Sequence, residues 1–420
     1  MYQSITFASM ESIDIFTLAL GLESPWRVSK AEFITNELTL KRELHLTISY
    51  ERGYQWSLPD GSTTTAYDTQ EKTWRHLNFF PHECYIHCNV PRIRTGEHTI
   101  EMVSVPWSRQ HSGFTLLFEA YQMLLIEEEM PISNVSRTVG VTEHRIWRVF
   151  AYWILRTLSK LDLSAVRRIG VDDTSSKKGH RYITHFVDLD THKTIFVCEG
   201  KDAETFRKFK EHLVKCGGDV ANIELISMDM SIAFQSGAME CFPDANIVFD
   251  KYHIVQAVNA AMGEVRKAEK RNCQLIKKDK YALLHSPKHL SEEENERLVN
   301  LLIEYPTLGR AYGLKESFLD VFDMNTSEDA KGYLAFWIDW TLESGIQQFV
   351  KFARMIQSHW KGIAAYFDLG RITNGVLEGL NSKIQLAKRR ARGFRNIDNF
   401  ILMVYYLTGK LKICYTHETT

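Results

Sequence analysis

Three acidic residues, far apart in the chain, stand where metal-dependent phosphate chemistry would need them. Ile169-Gly-Val-Asp-Asp-Thr174 is a short apolar strand that runs into two carboxylates, with Arg167 and Arg168 before it and Lys177, Lys178, Gly179 and His180 after it. An ionised carboxylate at the end of a buried strand is costly to desolvate, so a metal ion, an arginine or water at a cleft mouth must compensate Asp172. Ile223-Glu-Leu-Ile-Ser-Met228 is a second apolar run ending on an acid, Asp229, and Glu378 lies in a later amphipathic stretch. Cutting a phosphodiester needs an activated water or hydroxyl and a stabilised leaving oxygen, which two divalent ions roughly 4 Å apart supply. Mg2+ or Mn2+ suits carboxylate oxygens, so Asp172, Asp229 and Glu378 are the expected ligands and catalytic residues. The competing reading is a set of solvated strand ends. With 52 Asp and Glu in the chain, spacing alone does not separate the two.

The elements that must position these acids follow a recognisable order. The sequence predicts strands at Val166–Asp172, Tyr182–Asp188 and Thr194–Cys198, the last two joined by a turn at Asp190-Thr-His192. A helix follows from Ala203 to Lys215, with Phe206, Phe209 and Leu213 on one face. Next come the strand ending at Asp229, a helix capped by Ser231, and a strand at Asn246–Phe249 that ends on Asp250. Three antiparallel strands, then helix, strand, helix, strand, is the order of the ribonuclease H-like fold, an α/β class within a mixed α+β chain. In that fold the ends of the first and fourth strands lie side by side, which would bring Asp172 and Asp229 together.

Residues 253 to about 365 show no strand signal and read as a helical block. It carries a basic run, Arg266, Lys267, Lys270, Arg271, Lys277, Lys278 and Lys280, and a helix start at Ser291-Glu-Glu-Glu. Phe336, Trp337, Trp340, Phe349 and Trp360 read as core, or less often as a stacking surface for bases. A last helix is expected from Thr373-Asn374 through Ala387. Leu377, Leu380, Ile384 and Ala387 form its buried stripe, with Glu378 at the edge. Between Gly379 and Ile397 stand Lys383, Lys388, Arg389, Arg390, Arg392 and Arg395 with no acid among them, a pattern that suits a phosphate backbone or a solvated basic face.

Residues 1 to about 105 read as mostly β. Leu38-Thr-Leu-Lys-Arg-Glu-Leu-His-Leu-Thr-Ile-Ser and Glu83-Cys-Tyr-Ile-His-Cys-Asn-Val-Pro-Arg-Ile alternate, and Asp60-Gly61 signals a turn. In a strand Cys84 and Cys88 share one face while His87 takes the other, and no second CxxC knuckle exists, so packed cysteines are expected here rather than zinc on His82, Cys84, His87 and Cys88. From Phe114 to Leu161 the pattern is helical. Met130 to Phe150 reads as helix, a turn with Gly140 as C′ residue and Thr142 as N-cap, then a second helix bearing His144, Arg145 and Arg148. That is a helix-turn-helix with a basic reading face, or a plain αα-hairpin.

At 420 residues, 44% hydrophobic and 25% charged, the chain is globular and long enough for two or three domains. A net charge of −1 excludes a uniformly basic DNA-coating protein, though not local basic patches. No run of about 18 apolar residues spans a membrane. The start lacks a secretory pattern and the seven scattered cysteines fit reduced thiols, so a cytoplasmic protein is expected.

Taken in order, Ile169-Gly-Val-Asp-Asp, Lys178-Gly-His-Arg-Tyr, Ser227-Met-Asp-Met-Ser, Phe249-Asp-Lys-Tyr-His, Asn374-Gly-Val-Leu-Glu-Gly-Leu-Asn-Ser-Lys-Ile and Arg390-Ala-Arg-Gly-Phe-Arg-Asn resemble the ISL-three family of bacterial insertion-sequence transposases. Phe16-Thr-Leu-Ala-Leu-Gly-Leu, Thr73-Trp-Arg-His-Leu, Val105-Pro-Trp and Ser112-Gly-Phe-Thr are similar to it as well. The resemblance implies a DDE transposase in which Asp172, Asp229 and Glu378 match the metal-binding triad. The helical insertion would lie between the second and third acids. It also implies double-stranded DNA as partner, both transposon ends and target, in a homodimer or larger assembly on DNA near the nucleoid. Arg145, Arg148, Lys177, Lys178 and the basic residues from Lys383 to Arg395 are the expected DNA contacts. The implied division is 1–106, a β-rich module; 107–163, the helix-turn-helix region; 164–255 and 366–412, the two parts of the ribonuclease H-like core; and 256–365, the insertion. Family members usually carry CxxC-type zinc pairs in the first module. Here the corresponding stretches, Gln55-Trp-Ser-Leu-Pro-Asp-Gly and Arg94-Thr-Gly-Glu-His, have no cysteine, so the module is expected to keep its β framework without zinc. The alternatives are a catalytically silent, transposon-derived DNA-binding protein and a structure-selective nuclease of the same fold.

Overall fold

The computed structural model describes residues 12–96, 98–177, 181–270, 280–284, 290–371 and 375–415. They fall into two compact units, one reaching to Trp153 and including 412–415, the other Ile154–Leu411. Among the described residues no helix is long and apolar enough to cross a membrane.

The first unit begins with α1 (Ser12–Ala19), β1 (Trp26–Thr35), β2 (Arg42–Tyr50), the short pair β3 (Trp56–Ser57) and β4 (Thr63–Thr64), β5 (Asp68–Phe79), β6 (His82–Arg94) and β7 (Ile100–Met102). The sheet order is β1-β2-β6-β5, with β7 on β6; β2 and β6 run parallel and the other pairs antiparallel. Leu44, Leu46 and Ile48 of β2 and Cys84, Ile86, Cys88 and Val90 of β6 alternate into one core, as the two-residue period requires. Cys84 and Cys88 are thus packed, and burial pushes both thiols up to about 12. His87 points the other way, with Nε2 2.8 Å from His45 Nδ1 and Nδ1 2.9 Å from Thr73 Oγ1.

Three features of this unit differ from the sequence expectation. The strand read from Leu38 begins only at Arg42, because Asn36 Oδ1 accepts the backbone N–H groups of Leu38 and Thr39 and closes a turn first. Leu38 and Leu40 are left exposed there. The helix α1 was not foreseen. Nor were β1 and β5, which are edge strands whose charged side chains blur the alternation.

The unit continues with α2 (Leu116–Glu127), α3 (Ile132–Val139) and α4 (Glu143–Leu158). Gly140 sits in the left-handed region at φ 69° and ends α3 as expected. Buried Glu119 of α2 accepts from Trp153 Nε1 of α4 (2.8 Å), Arg109 Nε (2.9 Å) and Ser112 Oγ (2.6 Å), so its charge is fully paired.

The second unit opens with β8 (Arg168–Lys177), β9 (Arg181–Asp188), β10 (Lys193–Glu199), α5 (Ala203–Lys215), β11 (Leu225–Met228), α6 (Ile232–Cys241) and β12 (Asn246–Phe249). Its sheet order, β10-β9-β8-β11-β12, has antiparallel pairs among the first three strands and parallel pairs from β8 onward. That is the ribonuclease H-like order read from the sequence. Helices α7 (Lys251–Lys270), α8 (Lys280–Leu284), α9 (Glu292–Glu304), α10 (Pro306–Asp320), α11 (Ser327–Glu343), α12 (Gln347–Ser358) and α13 (Trp360–Asp368) make the helical block. Trp337, Phe318, Phe349 and Phe352 are buried in it, whereas Phe336 and Trp340 are exposed. Ser291 caps α9 in a reciprocal box with Glu294. Ser231 stands at the start of α6, but its side chain makes no cap bond. The chain closes with α14 (Gly375–Arg390), over Gly170 and Val187, and α15 (Ile397–Thr408), against β10. Lys178, Arg271, Lys277, Lys278, Thr373 and Asn374 lie outside the described residues.

His76 of β5 offers a test of the first unit. Its Nδ1 lies 2.9 Å from Thr115 Oγ1, the N-cap of α2, and burial, with Arg75 adding to it, holds the ring down to about 4. The unfolded chain takes up that proton near pH 6.5 and the folded one only near 4. Stability is therefore full above 6.5 and falls on acidification through this window, by up to about 1.4 kcal/mol per pH unit. Urea unfolding of the whole chain at pH 7, 5.5 and 4.5 should show that fall, and His76→Asn should lessen it; equal slopes in the two proteins would refute the assignment.

Candidate active site

The site is built where a parallel pairing runs out. β11 pairs with β8 only at Leu225↔Arg168, Ile226↔Ile169 and Ser227↔Gly170. Asp172 and Asp229 each follow two residues after the last pair, so they stand level with each other and on one face of the sheet. The first acid is therefore not at a strand end. β8 continues to Lys177 because β9 pairs with it alone, Asp172 lying opposite His185 and Asp173 opposite Thr184. What the sequence read as a terminus is the point where β8 outlives its parallel neighbour.

Asp172 is half-buried and both its oxygens are engaged. Oδ1 accepts the backbone N–H of Asp173 at 2.8 Å, and Oδ2 accepts from Asn381 Nδ2 of α14 at 2.5 Å. Burial pushes its carboxyl up to about 6, and the Asp173 and Asp229 charges add to this, against the Asp173 amide and the His253 ring. Asp173 is raised as well, by burial first and then by Asp229, while Lys201 and His253 oppose the shift. Asp229 Oδ1 takes the N–H of Ser231 at 2.9 Å, in the turn that leads into α6. Asp250 is buried after β12, its Oδ1 accepting the Tyr252 N–H at 3.1 Å. His185, beside Asp172 on the adjoining strand, is fully buried, and burial holds it neutral, down to about 4.

Helix α14 is fixed to this strand along one stripe. Besides the Asn381 bond, Gln385 Nε2 donates to Thr174 Oγ1, and Lys388 Nζ donates to the Ser175 carbonyl at 2.5 Å. Leu377, Leu380 and Val187 form the apolar contact beside it. Glu378 is on the same helix, one turn before Asn381, and is exposed. Among the described residues, no three acidic, histidine or cysteine side chains converge closely enough to hold one ion. The donors are nonetheless of the type a hard divalent cation takes: Asp172, Asp173 and Asp229 are half-buried carboxylates, and the Asp229 charge helps to raise Asp172 and Asp173 against the Asp173 amide, Lys201 and His253.

The basic residues divide into two groups. Lys177 Nζ donates to the Arg395 carbonyl at 2.7 Å, so this lysine and Lys388 are committed to holding strand, helix and loop. Lys383, Arg389, Arg390, Arg392 and Arg395 are exposed. In the first unit Arg148 is exposed on α4, while the Arg145 guanidinium stacks 4.1 Å from the Phe114 ring centre. Sequence reasoning missed His253 and Asn381 as neighbours of the acids. His253 had a signal, one helical turn after Asp250; Asn381 had none until the register of α14 was known.

Residues 169–404, more than half the chain, match the DDE transposase model of the ISL3 family, described as "Transposase". The chain belongs to the ISL3 transposase family. Residues 103–154 match the helix-turn-helix domain of the same family, which settles the reading of α3 and α4 in favour of a DNA-binding motif. The chain is 30% identical to the transposase for insertion sequence element IS1557 of Mycobacterium tuberculosis over 77% of its own length and 79% of that protein. It is 24% identical to the transposase for insertion sequence element IS1001 of Bordetella parapertussis over 80% and 84%. This chain is thus an insertion-sequence transposase with DDE and helix-turn-helix domains, and its family acts by cleaving and transferring DNA.

Two glycines of the transposase test how closely α14 must approach. A Cβ at Gly170 would stand 2.6 Å from Leu377 Cδ1 and 2.9 Å from Leu189 Cδ2, whereas one at Gly379 meets nothing within 4 Å. Gly170→Ala should destabilise the protein by about 1–3 kcal/mol through overpacking. Gly379→Ala should stabilise it by about 0.5–1 kcal/mol through helix propensity. Chemical denaturation of the two variants checks the opposite signs.

Proposed function

We propose that this transposase binds the terminal inverted repeats of its own element, pairs two ends, cuts at the 3′ ends and joins the freed 3′-hydroxyls to target DNA. Asp172, Asp229 and Glu378 are its cation-holding triad in this reading. The observation that carries it is the level placement of Asp172 and Asp229 beyond the last pair of two parallel strands, with the helix that bears Glu378 bonded to Asp172 one turn later. A divalent cation such as Mg2+ or Mn2+ bound there supplies a lowered pKa for the attacking water and charge stabilisation for the leaving oxygen.

The chain's own residues do the rest. Asn381 and the Asp173 amide hold the Asp172 carboxylate in one orientation. The region 107–163 reads the DNA end, with Arg148 of α4 reaching toward the groove and Arg145 supporting it from its stack on Phe114. Lys383, Arg389, Arg390, Arg392 and Arg395 neutralise phosphates, and Lys178 adds to them. Lys177 and Lys388 keep that basic surface in register with the sheet. The β-rich module 1–106 supports end recognition without zinc, and 256–365 is an insertion within the catalytic core 164–255 and 366–412. Pairing two ends requires at least two copies on DNA.

Strand-transfer assays with Asp172→Asn, Asp229→Asn and Glu378→Gln should each lose product while end binding persists; product from any one of them removes that residue from the site. Arg148→Ala should weaken end binding by about 1–3 kcal/mol, read by gel shift at fixed salt. Unchanged binding would take Arg148 off the reading face.

A further inference from the structure

The polar stripe of α14 carries one residue whose role goes beyond holding helix to sheet. Asn381, Gln385 and Lys388 recur at helical spacing and meet Asp172, Thr174 and Ser175 of β8 in turn. The lower two contacts end on a hydroxyl and a backbone carbonyl, and fix the helix register. The uppermost ends on a carboxylate that the sheet already holds from the other side through the Asp173 N–H. With one N–H on each oxygen, the carboxylate group cannot swing, yet each oxygen keeps a lone pair free.

The surroundings of that bond are buried and polar. Asn381 Oδ1 is buried without a hydrogen-bond partner among the described residues, as are both ring nitrogens of His185, which lies directly opposite Asp172 on β9. Buried polar atoms without partners are rare and ask for a reason. One nitrogen of the neutral His185 ring carries a proton beside Asp172 without bonding it, so among the described residues Asn381 gives Asp172 its one side-chain hydrogen bond. An aspartate or glutamate at 381 would add a charge against Asp172 where an amide donates to it.

We propose that Asn381 is a positioning residue for Asp172: it holds the carboxylate in the orientation in which it accepts a divalent cation, and it ties that orientation to the helix that carries Glu378. The inference rests on the reading of Asp172 as a cation ligand. Groups that orient a ligand in this way typically change metal affinity by 10–100-fold when removed.

The test uses the full chain and Mn2+ alone as probe, with free Mn2+ followed by electron paramagnetic resonance. Asn381→Ala and the equal-sized Asn381→Leu, which keeps the packing volume and lacks the donor, are compared with the unaltered chain and with Asp172→Asn. Both Asn381 variants should bind Mn2+ at least about 10-fold more weakly. In strand transfer they should need a correspondingly higher Mn2+ concentration for half-maximal product, while reaching the same plateau and keeping end binding. A structural role alone would lower the plateau at every concentration. Unaltered Mn2+ affinity in Asn381→Leu, where Asp172→Asn has lost it, would overturn the inference and leave the site reading standing. Unaltered affinity in Asp172→Asn would remove the site reading, and the role of Asn381 with it.

Discussion

The contact between α14 and β8 is the constraint on which the arrangement of the second unit turns. It combines a dry patch, Leu377 and Leu380 on Val187, with a polar stripe, Asn381, Gln385 and Lys388 on the length of β8 that has outrun β11. The two parts fix different things. The apolar patch sets how deep the helix lies, and Gly170 lets Leu377 come as close as it does. The polar stripe sets rotation: a shift of one residue turns a helix by about 100° and would carry Asn381 away from Asp172 altogether. Which side chain of α14 faces the acids is thus decided by bonds below the site, at Thr174 and Ser175, rather than by the acids themselves.

Much of the catalytic unit was legible because its signals were local and agreed with one another. The helix Ala203–Lys215 matches its expected bounds, since Phe206, Phe209 and Leu213 make a single face and Gly217 and Gly218 follow it. The strand Asn246–Phe249 likewise matches, a short apolar run between a proline turn and an acid. The extension of β8 through Asp172, Asp173, Thr174 and Ser175 was not legible. Two adjacent aspartates are poor strand formers and broke the apolar run, and pairing with β9 on one side holds them extended. Glu378 was assigned from its place at the edge of an apolar stripe, a position that fixes an angle to within one residue but not which neighbour it meets. The asparagine one turn on meets Asp172 instead, and Glu378 is exposed.

The first unit solves a different problem. Where the family resemblance implies cysteine pairs around zinc, this chain has the β3–β4 hairpin, turned at Gly61 with φ 84°. Its Trp56 packs against Trp26 and Tyr54 with ring centres 5.6 and 4.7 Å apart, and Trp26 in turn meets Trp107 at 5.1 Å. Aromatic burial thereby anchors the hairpin, a contact that large rings make favourable beyond their area alone. The helix-turn-helix is secured from behind by the fully paired Glu119, which ties α2 to the inner face of α4 and leaves Arg148 outside. A buried charge with every oxygen occupied tolerates little displacement, since moving either partner exposes the other to an unpaired interior.

A net charge of −1 conceals how strongly α14 is polarised. Its first turn holds Glu378 and its last turn Lys388, Arg389 and Arg390, an arrangement the helix dipole favours at both ends. At 1.5 Å per residue the two ends of that charge pattern are about 16 Å apart. In the proposed function a phosphate backbone drawn to the basic end is held a fixed distance from Asp172, because the same helix is bonded to that carboxylate. Coulombic attraction falls with distance and salt, so the basic end can set how tightly DNA binds without itself touching the bond that breaks. The acids near Asp172 would repel that backbone if left bare. In the proposed function a cation offsets those carboxylates, and the link through α14 makes binding and catalysis parts of one geometry.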